Sequence, residues 1–187
     1  MKKLLAFTTL AMLLSVAAAY AAEAKTALGF HTYSAPVGIR TWLSPKAGLD
    51  VGVGFTTASY KSDVAGSSSY SGSGFTLDVG VPYVLKSWDK VKFIGRPGLM
   101  IGSSSQDSGT PNTSQDKTSG WAISGELEVE LMVADNVSIS MSHGLAYSSE
   151  SQTPSVPNGT SAVKYTTSGI DTFGAGWTSV GFHVYLW

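Results

Sequence analysis

Eight charged side chains alternate with apolar residues, and they are the residues best placed to do chemistry. They are five carboxylates and three bases: Arg40, Asp50, Asp78, Lys92, Arg96, Glu126, Glu128 and Glu130. Alternation with a period of two puts such residues on one face of β-strands. His31 and His183 fall near the same side. Charges confined to one face must pair or reach water, because an isolated buried charge is costly.

Two kinds of chemistry fit this set. The first is an internal network of salt bridges and hydrogen bonds that fills the space enclosed by the strands. The second is a narrow, gated, weakly cation-selective pore, in which the row Glu126, Glu128 and Glu130 forms an acidic wall. The residue types allow both, and we expect the network.

A catalytic site is a weaker interpretation. The components of a hydrolase lie close together in sequence: Ser142, His143, Ser148, Ser149 and Glu150. Successive strand residues point to opposite faces, so Ser142 and His143 cannot face each other. The row of three glutamates lies on one strand, which is a poor arrangement for glycoside cleavage. We therefore expect no enzyme activity, no cofactor and no metal site.

The composition narrows the class of protein. The length of 187 residues suits one domain. Charged residues make up 13% of the chain, about half of the ~25% that is usual in soluble domains. The formal net charge is −1 and cysteine is absent. These values exclude a basic nucleic-acid binder, a disulfide scaffold and a thiolate metal site.

Residues 1–21 have the organisation of a secretory signal peptide. Two lysines precede a long apolar run, and small residues follow at Ala19 and Ala21, where signal peptidase reads the chain. We predict cleavage after Ala21, with cleavage after Ala24 as the alternative, and a mature domain over 22–187. Loss of the two lysines changes the formal charge from −1 to −3. No later stretch is apolar for long enough to predict a transmembrane helix.

The mature chain alternates with period two, whereas its glycine density and β-branched content oppose helices. We predict eight strands, near residues 25–33, 36–43, 48–60, 73–86, 91–104, 120–134, 137–149 and 172–187. Small polar residues dominate one face, and a narrow eight-stranded interior accommodates them. The other face is continuously apolar, so that lipid can surround it.

The connections alternate in length. Short turns are predicted at 44–47, 87–90 and 135–136, and long polar loops at 61–72, 105–119 and 150–171. Short turns at one end and long loops at the other are typical of an outer-membrane barrel.

Aromatic residues gather at both ends of the predicted strands. The short-turn end has Trp42, Tyr83, Trp88, Phe93, Tyr185 and Trp187. The long-loop end has Tyr33, Phe55, Tyr60, Phe75, Trp121, Tyr147, Phe173 and Trp177. This distribution predicts two aromatic girdles with an aliphatic band between them.

Three features together resemble a known family of membrane proteins. They are the signal peptide, the regular succession of predicted hairpins and the ending Val184-Tyr185-Leu186-Trp187. The mature chain resembles the family of small eight-stranded outer-membrane β-barrels, such as the membrane domain of outer membrane protein A and outer membrane protein X. The resemblance implies an insertion signal at Tyr185 and Trp187. It also implies contact with the barrel-insertion machinery, periplasmic chaperones, outer-membrane lipid and lipopolysaccharide.

Two features depart from this pattern. Pro82 and Pro97 fall inside predicted strands, where a missing N–H interrupts the ladder, so either local bulges or different strand boundaries are expected there. The apolar phase of the last strand, which includes Phe182 and Leu186, also puts Trp187 on the other face unless a bulge intervenes.

We therefore expect an all-β, eight-stranded antiparallel up-and-down transmembrane barrel in the bacterial outer membrane. Its termini face the periplasm and its three long loops face outside. We expect a structural or surface-interaction role for it, with an unknown partner at the loops and no nucleic acid. A small-solute or ion channel is the main alternative. A lipid-modifying hydrolase and a soluble periplasmic ligand-binding barrel are more remote.

Overall fold

The computed structural model describes residues 25–29, 35–60, 69–107, 115–157, 160–172 and 178–186. The strands in chain order are β1 (Lys25–Gly29), β2 (Val37–Trp42), β3 (Gly48–Tyr60), β4 (Tyr70–Gly80), β5 (Tyr83–Trp88), β6 (Val91–Asp107), β7 (Asp116–Ala134), β8 (Val137–Thr153), β9 (Tyr165–Asp171) and β10 (Thr178–Tyr185). Within these ranges no helix is long and apolar enough to cross a membrane. The predicted signal peptide, 1–21, lies outside the described residues.

Eight strands form an antiparallel ring in the order β1, β2, β3, β4, β6, β7, β8, β10. The ring closes where Ala27 of β1 pairs with Tyr185 of β10. β5 continues β4 along β6, while β9 and β10 pair with successive parts of β8. The predicted all-β, antiparallel arrangement of eight strands is confirmed.

One end of the ring has tight connections, and we call it the turn end. Two-residue turns at Asp89–Lys90 and Asp135–Asn136 join β5 to β6 and β7 to β8. Asp89 adopts a positive φ of 43°, which aspartate tolerates better than most residues. The opposite end, where β3, β6 and β8 finish, is the loop end.

Prolines divide one predicted strand into two. The expected strand over 73–86 is interrupted at Val81 and Pro82, between β4 and β5. Pro97 of β6 lies opposite this break, and its carbonyl accepts a hydrogen bond from the Val81 N–H at 2.9 Å. Because N and O of one residue point toward the same neighbouring strand, the missing N–H of Pro97 also faces the break. No bulge forms between Pro97 and β7.

The strands reach further toward the loop end than predicted. β4 begins at Tyr70, β6 ends at Asp107, β7 begins at Asp116 and β8 ends at Thr153. β9 lies wholly inside the predicted loop 150–171. The predicted bounds of the three long loops are wrong, because Ser- and Thr-rich composition indicated loops where cross-strand pairing continues. β10 covers Thr178–Tyr185 of the predicted last strand, 172–187, and residues 173–177 and 187 lie outside the described residues.

The two faces of the ring differ in chemistry. Along β7, the buried side chains of Glu126, Glu128 and Glu130 alternate with the exposed side chains of Leu127 and Val129. Polar residues therefore point inward and apolar residues outward, the reverse of a soluble protein. This pattern fits a barrel whose outer face is surrounded by lipid.

Candidate functional site in the barrel interior

Arg40 of β2 lies in the middle of the buried charges. Its Nε and Nη2 donate hydrogen bonds to Asp50 at 2.9 Å each. Its Nη1 and Nη2 donate to Glu128 at 2.6 and 2.7 Å. Asp50 is the cross-strand neighbour of Arg40, but Glu128 belongs to β7, four strands away in either direction around the ring. The Arg40–Glu128 pair therefore crosses the interior.

Arg96 of β6 joins three carboxylates. It donates hydrogen bonds to Asp50 and Glu126 at 2.8 Å each, and to Asp78. Asp50 thereby bridges both arginines. Charge-assisted bonds of this kind are roughly twice as strong as neutral ones. Gly80 makes room for the arrangement, because a Cβ there would collide with the Arg96 guanidinium.

Glu130 organises the part of the network nearer the turn end. One of its oxygens accepts hydrogen bonds from the Tyr185 hydroxyl at 2.6 Å and the Ser138 hydroxyl at 2.7 Å. The other oxygen lies 3.5 Å from the Lys92 ammonium. His183 Nδ1 lies 3.8 Å from the first oxygen. Side chains from β6, β7, β8 and β10 therefore meet at one carboxylate.

An apolar cluster fills the interior at the turn end. It consists of Ala27, Trp42, Val84, Ile94 and Tyr185, with Met132 packed against it. The Trp42 indole N–H donates to the Tyr185 hydroxyl at 3.1 Å. The Lys92 ammonium lies 4.6 Å from the centre of the Trp42 ring, within range of a cation–π interaction. We use the name filled half for this apolar cluster together with the buried charge network described above, which consists of Arg40, Asp50, Asp78, Lys92, Arg96, Glu126, Glu128 and Glu130.

Toward the loop end the interior widens into an open cavity of about 590 Å³, which we call the outer cavity. Many of its inward-facing residues are small, among them Gly54, Gly74, Gly102, Ser104, Gly120 and Ala122, whereas Met100, Gln106 and Glu150 are larger. Glycine and serine leave the centre of the barrel empty at this level.

The aromatic residues predicted for the two girdles differ in the direction in which their rings point. Tyr83, Trp88, Trp121 and Tyr147 point outward and are exposed. Trp42 and Tyr185, however, were placed wrongly, because they point inward and are only 7% and 6% exposed. Their inward phase was readable, since Trp42 lies two residues after Arg40 and Tyr185 two after His183.

Two terminal aromatic residues, Trp177 and Trp187, lie outside the described residues. The insertion signal at Tyr185 and Trp187 stays a prediction. The expected phase of the last strand agrees with the structure over its described part, where Phe182 and Leu186 are exposed and His183 is buried.

The predicted hydrolase residues are separated by the fold. Ser142 points inward and its hydroxyl donates to Glu126 at 3.3 Å. His143 points outward with Met141 and Leu145, on the apolar face. Among the described residues, no group of three or more His, Asp or Glu side chains is arranged to hold a metal ion. The buried carboxylates are instead engaged by arginine, lysine, serine and tyrosine.

Comparison with known proteins supports the architecture. The structure is similar to the crystal structure of a major outer membrane protein from Thermus thermophilus, with a TM-score of 0.51 and 16% sequence identity over 88% of this chain and 100% of that one. The fold is that of an outer-membrane β-barrel. A second similar structure, Acinetobacter baumannii CarO, has a TM-score of 0.36 and 10% identity over 86% of this chain and 95% of that one. No protein-family model and no curated protein matches the sequence.

Proposed function

We propose that this chain is a bacterial outer-membrane barrel with a closed interior, whose role is structural and exerted at the outer surface of the cell. The observation that carries the proposal is the Arg40–Glu128 pair, which joins opposite walls of the barrel. An eight-stranded barrel is just wide enough for side chains to fill it. An arginine held by two carboxylates across that width leaves little room for a continuous column of water.

The packing of the filled half is a second observation that supports a closed interior. Trp42, Tyr185 and Ile94 occupy the turn end, next to the charge network. A solute entering from the loop end would have to displace first the arginines and then this apolar cluster. Breaking a buried charge pair is strongly unfavourable, because it leaves a charge without a partner.

The sequence and the chemistry of the outward face support an outer-membrane location for the chain. A cleaved signal peptide over 1–21 exports the chain. The exposed apolar residues along β7 and β8 suit lipid. The turn end would then face the periplasm, where chaperones and the insertion machinery meet the chain. The loop end would face outside, where the long strand extensions contact lipopolysaccharide or another partner.

A narrow cation channel is the alternative function, and one observation favours it. Among the described residues, the charge network of the interior has five carboxylates but only three basic side chains, Arg40, Lys92 and Arg96. An excess of acid along a water-filled path would select cations.

Conductance across a planar bilayer separates these two functions. We expect the mature chain to insert and remain silent, and Arg40→Ala to add unitary current steps. Tyr147→Phe, on the outward face, serves as the matched control and should stay silent. Unitary steps in the unchanged protein, with a cation preference that is lost when Glu126, Glu128 and Glu130 are neutralised together, would establish the channel. A mature chain that stays soluble without detergent would overturn the membrane location itself.

A further inference from the structure

A basic groove lies on the outward face of the barrel at the loop end. It has a volume of about 610 Å³, and two lysines, Lys117 and Lys164, line it. Both lysines are exposed. Hydroxyl side chains make up most of the remaining wall, among them Ser103, Ser105, Ser119, Ser151 and Thr153. The groove shares lining residues with the outer cavity, among them Gly74, Ser104 and Thr118, and differs from it in that Lys117 and Lys164 line only the groove.

Aromatic residues fix the level of the groove relative to the apolar surface. Lys117 shares the outward face of β7 with Trp121, because alternate residues of a strand point to one side. The rings of Trp121 and Tyr147 are 5.7 Å apart, and those of Phe55 and Phe75 are 5.2 Å apart. Such outward-facing rings lie at the headgroup level of a membrane barrel. Lys117 lies roughly 13 Å further along the strand, given ~3.3 Å per residue.

The outward face changes its chemistry at this level. On the turn-end side of the rings it carries residues such as Ile123 and Leu127, and on the loop-end side it carries Ser, Thr and Lys. Several hydroxyls pair across strands, as between Ser73 and Ser105 at 3.5 Å and between Ser151 and Thr166 at 3.0 Å. A ligand that crosses this boundary would meet hydroxyl donors and acceptors above and apolar side chains below.

The groove is basic, although the whole chain has a slightly negative net charge. The chain has a formal net charge of −1, yet the described residues that line the groove include two lysines and no carboxylate. Lysine ammonium groups pair well with phosphate oxygens, and serine and threonine hydroxyls bond to sugar hydroxyls. The groove therefore complements a phosphorylated saccharide.

We propose that the basic groove binds the phosphorylated saccharide headgroup of a lipid in the outer leaflet. The headgroup phosphate pairs with Lys117 and Lys164, and the acyl chains lie on the turn-end side of the aromatic rings, against residues such as Ile123 and Leu127. This inference rests on the proposed function, because it requires the loop end to face outside the cell.

Titration with lipid A tests the proposal. The mature chain is refolded in detergent micelles and titrated with bis-phosphorylated lipid A and with its dephosphorylated form. We expect Lys117→Gln/Lys164→Gln to weaken binding of the phosphorylated lipid by about tenfold or more, the size of one lost charge-assisted contact. The replacement of both lysines by arginine should retain binding. Lys46→Gln/Lys86→Gln, an equal charge change away from the groove, should leave it unchanged.

Three outcomes would overturn the inference. Equal affinity for the two forms of lipid A would show that the phosphate is not recognised. An equal loss in the Lys46/Lys86 control would show a general charge effect. Inorganic phosphate that competes at the same concentration as lipid A would show a simple anion site. If the barrel is silent in the bilayer but fails this test, the closed interior stands and the lipid site is refuted. If the barrel conducts but passes this test, the closed interior is refuted and the lipid site stands.

Discussion

The filled half and the outer cavity share the strands β3, β4, β6, β7 and β8, yet one region is packed and the other is open. Near the turn end, β2 and β6 direct Arg40, Trp42 and Arg96 inward. Near the loop end, β4 and β6 direct Gly74 and Gly102 inward. Along the shared strands the two regions differ in the volume of their inward side chains, and an eight-stranded barrel is just wide enough for side chains to fill it. Side-chain volume decides which part of the interior closes.

The comparison also teaches where the stability of the interior resides. In the filled half every buried carboxylate accepts bonds from a cation or a hydroxyl, and the removal of one partner leaves a charge buried without compensation. In the outer cavity, water reaches the walls and replaces a lost hydrogen bond. We therefore expect substitutions to have much larger effects in the filled half.

The largest effect should come from Arg40→Ala. The substitution leaves Asp50 without one of its two arginines and removes the arginine that crosses to Glu128, and breaking such a buried pair costs about 3–5 kcal/mol. Urea unfolding of the barrel in lipid vesicles, followed by tryptophan fluorescence, measures the loss of free energy.

Ser104→Ala in the outer cavity is the matched control, and its effect should stay within about 0.5 kcal/mol. If Arg40→Ala does not insert, Glu128→Gln serves instead and should cost about 1.5–3 kcal/mol, the value of a hydrogen bond to a charged group. Equal losses at Arg40 and Ser104 would refute the difference between the two regions.

The period-two pattern predicted which charges would face inward, because the side of a strand follows from sequence parity alone. It did not predict their partners. Arg40 and Glu128 are 88 residues apart and belong to opposite walls, and parity carries no information about distance across a ring. For Trp42 and Tyr185, sequence parity indicates the inward face correctly. Their position at strand ends suggested a girdle instead, and this led to the wrong placement. The hydrogen bond between the Val81 N–H and the Pro97 carbonyl was not predicted either, because it depends on the register between strands, which the sequence does not give.

A smaller effect is expected from a single methyl group in the filled half. In Gly80→Ala the new Cβ collides with the Arg96 guanidinium, which three carboxylates hold in place. Overpacking of this kind costs about 1–3 kcal/mol, and the same urea unfolding assay detects it.

Gly102→Ala adds the same methyl group in the outer cavity, where the nearest atom would lie 3.4 Å from the new Cβ. That contact is ordinary, and loss of chain entropy in the unfolded state makes a compatible Gly→Ala change neutral or stabilising by about 0.4–1 kcal/mol. A Gly102→Ala variant that loses as much stability as Gly80→Ala would show that the outer cavity is as tightly packed as the filled half.

Among the variants of the filled half, the smallest loss should come from Tyr185→Phe, which removes one hydroxyl from the boundary between the charges and the apolar cluster. Glu130 loses a donor at 2.6 Å and the Trp42 N–H loses its acceptor, but Ser138 and Lys92 remain beside Glu130. We therefore expect a loss of about 1 kcal/mol. Tyr147→Phe changes the same group on the outward face and should have no measurable effect on stability. If both variants unfold at the same urea concentration as the unchanged protein, the Tyr185 hydroxyl adds nothing to the closure, which would then depend on ring packing and the arginines alone.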